Sequence, residues 1–304
     1  MTIHVHDAAE GAAQQFAVKA LSQTMRVLVK PLFNPRTPLG VLRKGLIAAS
    51  LTTLPARGAT REDVTIAGIP AERWRPKGGA NDKVVLYFHG GAYCAGAPRT
   101  HRSLASHLAV QSGATVIVPD YALAPEAPFP SAVDDALAAY KALLSEGVDA
   151  SNIVIAGDSA GGGLSMACTL AARDDNQPLP SRLILLSPWV DLTLKQRQQV
   201  KGEVMLTWEG LERSAEHYAE DQRHAPLASP LLASHHGLPP CLIITGSNEI
   251  LMGDSERLMK RLQAADVDVD LHVYQGMWHV FPIQAGLLRA ANQAVEEMGR
   301  FVRG

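Results

Sequence analysis

Three cysteines are all that the 304 residues contain. Cys94, Cys168 and Cys241 are odd in number and far apart, which argues against a disulfide framework and for free thiols in a reducing compartment. They form no Cys-x-x-Cys pair, so no structural zinc or other metal is expected. An excess of charge of one sign is also missing. Against 28 Lys and Arg stand 30 Asp and Glu, and a formal net charge of -2 gives no reason to expect nucleic acid or an anionic membrane as partner. No window approaches the roughly 18 uninterrupted apolar residues that a membrane span needs. The first residues, Met1 to Asp7, lack the positive start and apolar segment of a secretory signal, so a soluble, cytoplasmic protein is the expectation. Internal repeats and low-complexity tracts are absent as well. What remains is 47% hydrophobic and 19% charged, an ordinary globular composition. A chain of this length can bury a large core, as one extended α/β domain or as two domains.

Residues 8 to 53 carry no strand signal. Phe16, Ala17, Ala20, Leu21, Met25 and Leu28 recur at helical spacing until Pro31, Pro35 and Pro38 break the pattern, and a second apolar helical segment runs near Val41 to Leu51. These helices are either packing decoration or a lid. A membrane-surface role is disfavoured because basic residues are sparse there. From Glu62 the pattern turns to strands. Asp63 to Ile69 and Ala71 to Arg75, separated by Pro70, read as an antiparallel pair. Val84 to Phe88, Thr115 to Val118, Ile153 to Ala156, Leu183 to Leu186, Cys241 to Thr245 and Val269 to Tyr274 read as further strands, several of them apolar throughout and hence fully buried. Helices are expected at His101 to Ser112, from Ser131 as N-cap, at Leu164 to Arg173, Asp254 to Ala264 and Gln284 to Arg300. The alternation predicts an α/β fold with a mostly parallel sheet covered on both faces. Residues 190–235 interrupt it with Trp208 and a helical segment from Leu211 to Tyr218, where a specificity element would sit.

The chain is organised around Ile153 to Gly163. A buried strand runs into Gly157-Asp158-Ser159-Ala160-Gly161, and a helix follows. Such a G-x-S-x-G turn is so sharp that the serine adopts a strained backbone and projects its hydroxyl from the sheet. Side chains at the two flanking glycines would collide across the turn. A serine hydroxyl needs a base to take its proton and an acid to orient that base, and on such a sheet these follow in the order acid, then histidine. His279 lies in the loop after the strand ending at Tyr274. In the loop after Thr245, Glu249 comes first and Asp254 five residues later, where an aspartate would equally cap the next helix; the loop position favours Glu249. His4, His6 and the pair His235-His236 sit in polar, unpatterned context and are expected to be solvated. The strand Val84 to Phe88 runs into His89-Gly-Gly-Ala-Tyr93, where the amides of Gly90 and Gly91, with that of Ala160, would form a hole for a developing oxyanion.

His89-Gly-Gly-Ala-Tyr93, Asp120-Tyr-Ala-Leu-Ala-Pro-Glu126 with Phe129-Pro130, and Gly157-Asp-Ser-Ala-Gly-Gly162 together resemble the signature set of the hormone-sensitive-lipase-like, bacterial family IV carboxylesterases. The resemblance runs from about Val84 to the C-terminus. It implies an α/β-hydrolase fold with a mostly parallel central sheet flanked by helices. It implies a triad of Ser159, Glu249 and His279 and oxyanion donors at Gly90 and Gly91. Many members have aspartate in an Asp-Pro-Leu segment where this chain has Glu249-Ile-Leu, which is a departure from the pattern. The resemblance also implies a helical cap, formed by residues 1–55 and an insertion at 190–235, over a catalytic domain of residues 56–304. The expected activity is hydrolysis of short- to medium-chain carboxylic esters through an acyl-enzyme, without cofactor, by a protein that binds a small-molecule ester and often pairs as a homodimer. An amidase or peptidase, a lactone or formamide hydrolase, and a non-catalytic small-molecule receptor are the alternatives on the same fold. Glu126 and Asp158 are expected to hold loops together, and Cys94 to pack.

Overall fold

Runs of β-branched and aliphatic residues bounded by glycine and proline produce nine strands in the computed structural model, which describes residues 2–7 and 11–304. In chain order they are β1 (Thr2–Asp7), β2 (Ala59–Ile66), β3 (Ile69–Pro76), β4 (Val84–Phe88), β5 (Thr115–Pro119), β6 (Ile153–Asp158), β7 (Arg182–Leu186), β8 (Cys241–Gly246) and β9 (Val269–Gln275). They form one sheet in the order β1-β9-β8-β7-β6-β4-β5-β3-β2. Only the pairings of β3 with β2 and β5 are antiparallel. Every residue of β6 and of β8 is buried, which requires cover on both faces. That cover comes from α3 (Arg102–Ser112), α4 (Ser131–Ser145), α5 (Ala160–Asp174), α7 (Met252–Ala264) and α8 (Arg289–Arg303). Before them, α1 (Ala12–Thr24) runs into a π-helical turn at Met25–Val29 and a 3-10 turn at Lys30–Phe33, and α2 (Leu39–Ser50) follows. The insertion carries α6 (Trp208–Ala219).

The sheet reverses its winding where β4 and β6 lie side by side, with Phe88 level with Gly157. In parallel sheets the crevice at such a switch point, beyond the carboxyl ends of the strands, is where ligands sit. His89 and Ser159 are the residues that leave β4 and β6 at that edge. The turns after β8 and β9 open on the same side.

Several expectations need correction. The N-terminal residues Thr2–Asp7 form a strand parallel to β9, where none was expected. His4 and His6 are therefore half-buried rather than solvated. The His6 ring stacks on Tyr274 with centroids 4.4 Å apart, and its Nε2 lies 3.1 Å from His272 Nδ1. His235 is buried too, its Nε2 donating to the Pro230 carbonyl at 3.0 Å. The turn of the first hairpin is Ala67-Gly68, both with positive φ, and Pro70 stands inside β3 opposite Thr65. Pro130, not Ser131, caps α4. The last helix begins at Arg289, after a separate 3-10 turn at Phe281–Gln284. All three cysteines are free and buried.

Candidate active site

The turn between β6 and α5 is as tight as its glycines require. Ser159 has φ 54° and ψ -122°, a conformation that costs about 1–3 kcal/mol for a residue with a Cβ. Its N–H donates to the Leu186 carbonyl at 2.9 Å, and its carbonyl accepts from Trp189 N at 2.9 Å. The strain is thus held by β7 and the residues that follow it. A Cβ on Gly157 would land on the Gly161 carbonyl, and one on Gly161 would land on the Phe88 carbonyl. Nothing larger than glycine fits at either place.

Glu249 and His279 come together from the loops after β8 and β9. His279 Nδ1 lies 2.6 Å from Glu249 Oε2, and the other carboxylate oxygen accepts from the Thr245 hydroxyl and, at 3.2 Å, from Gly246 N. Neither side chain is more than 3% exposed. The two loops are laced to each other. Ser247 N donates to Tyr274 O at 3.0 Å, Asn248 N to Met277 O at 2.9 Å, and Gly276 N to the Ser247 hydroxyl at 2.8 Å. Burial disfavours the charged imidazolium of His279, but the Glu249 hydrogen bond and the charges of Glu249, Glu203 and Asp158 outweigh it and raise the pKa above 6.5.

Asp254 lies apart from this pair. One of its oxygens accepts the N–H groups of Val190 (3.0 Å) and Asp191 (3.1 Å), and the other pairs with Arg257 at 2.7 Å. It sits in the first turn of α7 and ties the insertion to that helix rather than capping it. Burial pushes its carboxyl up to about 6 against the pull of Arg257 and of the backbone donors.

The segment after β4 differs from expectation at one atom. Gly90 N is already donating to Asp158 Oδ1 at 3.0 Å, with His101 Nε2 a further 3.3 Å neighbour, so it is not free to receive an oxyanion. A Cβ on Gly90 would strike the Asp158 carboxylate, and that contact is the reason for glycine there. Gly91, at φ 134°, would strike Ala95 O with a Cβ. Gly91 N is without a hydrogen-bond partner among the described residues, and Ala160 N opens α5, where helix amides are unpaired.

Asp158 holds this loop, as expected, but sequence reasoning missed its partners Tyr87 and His101. Asp158 accepts from the Tyr87 hydroxyl at 2.8 Å and lies 3.2 Å from His101 Nε2. Burial would raise the Asp158 pKa, but the charge and hydrogen bond of His101 and the hydrogen bond of Tyr87 lower it. His89 does not join in the chemistry. Burial and the nearby His101 hold its pKa down at about 3, its Nδ1 donates to the Gly90 carbonyl at 3.0 Å, and its ring stacks on Tyr121. His101 had no local signal to find it by, since its carboxylate partner is 57 residues away.

Ser159, His279, Gly90 and Gly91 line one apolar cavity of about 100 Å³. Its outer wall is Met25, Val29, Phe33, Leu46 and Ala49 from the N-terminal helices, with Met205 and Leu206 from the insertion. Arg43 on α2 holds this wall to the loop after β4 through the carbonyl of Cys94, and to the loop after β5 through Glu126 (2.7 and 2.6 Å) and the carbonyl of Ala124. Glu126 thus holds loops together. Cys94 packs outside the cavity, its thiol pushed up to about 12 by burial. No group of three or more His, Cys, Asp or Glu among the described residues is arranged to hold a metal ion.

A strained serine at the switch point of such a sheet, lining one cavity with the histidine of a buried acid–histidine pair, is the arrangement of an α/β-hydrolase. Comparison with known proteins agrees. The family described as having the alpha/beta hydrolase fold matches residues 85–283. An esterase of Acinetobacter venetianus is 37% identical over 243 residues, covering 78% of this chain and 80% of the relative. An acetyl-hydrolase of Streptomyces hygroscopicus is 38% identical over 251 residues, covering 81% and 84%. The crystal structure of an esterase from the bacterial hormone-sensitive lipase family superposes with a TM-score of 0.88 at 35% identity, over 97% of this chain and 98% of that one. The chain belongs to the hormone-sensitive-lipase-like carboxylesterases, and it is a carboxylic ester hydrolase.

Proposed function

We propose that Ser159 attacks the carbonyl of a short- to medium-chain ester, with His279 as general base and Glu249 as the acid that orients it. The observation that carries this reading is the buried 2.6 Å contact of Glu249 with His279 Nδ1, which leaves Nε2 as the proton acceptor in the cavity that Ser159 shares. The amides of Gly91 and Ala160 stabilise the tetrahedral oxyanion. Gly90 serves by admitting the Asp158 carboxylate that fixes the loop. Protonated His279 then delivers its proton to the leaving alcohol, and water repeats the sequence on the acyl-enzyme. The cavity is small and apolar, which suits a short acyl group. We read residues 1–55 and 190–235 as the cap over this group, since Met25, Val29, Leu46, Met205 and Leu206 wall the cavity, although Thr2–Asp7 belongs to the sheet.

The test is hydrolysis of p-nitrophenyl esters of increasing acyl length, with matched amides alongside. Wild type is expected to cleave the short esters fastest and the amides far more slowly. Ser159→Ala is expected to lose about a thousandfold or more in kcat/KM. Substantial turnover by Ser159→Ala would sink the nucleophile assignment.

A further inference from the structure

The insertion contributes a further buried carboxylate, Glu203, which the proposed mechanism does not use. Its side chain is 5% exposed. Oε1 accepts the N–H groups of Met205 (2.6 Å) and Leu206 (2.9 Å), and Oε2 accepts the N–H of Ile250 at 2.9 Å. Among the described residues no Lys or Arg side chain pairs with this carboxylate. Lys30 Nζ instead reaches the main-chain carbonyl of Glu203, at 3.0 Å. A buried carboxylate without a cation is costly, and three backbone donors from two segments are what compensate it here.

The identity of those donors gives Glu203 its meaning. Met205 and Leu206 are walls of the acyl cavity. Ile250 follows Glu249 directly, 47 residues further along the chain from Glu203. Lys30 lies beside Val29 and Phe33, two more walls of the same cavity. One residue therefore joins the insertion, the N-terminal segment and the acid-bearing loop. We infer that Glu203 is a positioning residue, clamping the Met205–Leu206 wall of the acyl pocket to the loop that carries Glu249, so that pocket width and acid alignment are set together. The inference rests on the triad reading. Its charge adds a second effect. Glu249, Glu203 and Asp158 are the carboxylates whose fields favour protonated His279, so neutralising Glu203 lowers the pH at which His279 becomes the free base.

The experiment compares wild type, Glu203→Gln and Lys30→Met on p-nitrophenyl acetate, butyrate and octanoate across pH, after far-UV circular dichroism has shown which variants are folded. Glutamine keeps the shape but turns one acceptor into a donor that faces an N–H. Glu203→Gln is expected to lose about tenfold in kcat/KM, as for one buried hydrogen bond turned unfavourable. Its acid limb is expected at lower pH than in wild type, and its octanoate-to-acetate ratio is expected to change. Lys30→Met loosens the same wall without removing the carboxylate, so its chain-length ratio is expected to change while the acid limb stays. A folded Glu203→Gln that loses activity equally on all three esters, with the wild-type acid limb, would overturn the inference and leave Glu203 as a plain structural clamp. If Glu203→Gln does not fold, an unchanged chain-length ratio in Lys30→Met overturns it instead. If wild type hydrolyses none of the esters, the triad reading itself fails, which is a different result.

Discussion

The two walls of the reaction cavity are built to opposite rules. On the sheet side the backbone leaves no room: β6 is buried throughout, and a Cβ at Gly157, Gly161 or Gly163 would run into a main-chain carbonyl. On the cap side α1 buries no residue and α2 buries only Leu42. Phe16 on α1 stands 75% exposed, and Leu51, directly after α2, 81% exposed. Ser159 needs its strained conformation over-determined by packing, because strain persists only where the surroundings enforce it. The wall that meets the variable part of a substrate has no such need. The cap residues that line the cavity, Met25, Val29, Phe33 and Leu206, are themselves buried, so the looseness belongs to the outer faces of α1 and α2, where local opening costs least.

The largest stability effect expected from breaking this contrast is at Gly161→Ala. Its Cβ cannot be accommodated without moving β4 or α5, and a loss of about 3 kcal/mol in urea unfolding is expected. A loss under 1 kcal/mol would mean that the sheet side is looser than its contacts imply. At the other extreme, Phe16→Ser on the exposed face of α1 is expected to change stability by no more than about 0.5 kcal/mol, with activity on p-nitrophenyl butyrate unchanged. A larger loss on melting would show that the cap depends on a contact for this ring.

Legibility in the sequence followed the same divide. The elbow could be read because its requirement is local: two glycines and a serine within five residues meet one another. The buried strands could be read because both of their faces are covered, so the apolar run is continuous. β1 escaped because its aliphatic residues, Ile3 and Val5, are the exposed ones, while His4 and His6 make the inner contacts, the reverse of the usual pattern. The hairpin turn was misplaced because Pro70, with no N–H to give, still offers its carbonyl to Asp120 N and so remains inside a strand. His101 and Glu203 find their side-chain and backbone partners across 57 and 47 residues, and no spacing rule connects them. The engaged amide of Gly90 is a matter of direction, which residue types do not encode. Glu249 and Asp254 were both candidates in sequence, with only the loop position favouring Glu249. In space they part, since one reaches His279 and the other Arg257 and the backbone of the insertion.

That last difference bears most directly on the central claim, that Ser159, His279 and Glu249 form the hydrolytic unit. The measurement is the pH dependence of kcat/KM on p-nitrophenyl butyrate for wild type, Glu249→Gln and Asp254→Asn. His279 acts as a base only when neutral, and its pKa is raised above 6.5, so wild-type activity is expected to climb through neutral pH along an acid limb above 6.5. Glu249→Gln removes the partner that fixes the imidazole tautomer and is expected to lose about a thousandfold, with the limb moved to lower pH. Asp254→Asn is expected to stay within about tenfold of wild type, with the limb in place, because it touches neither His279 nor the cavity. Near-complete loss in Asp254→Asn with an active Glu249→Gln would contradict the account.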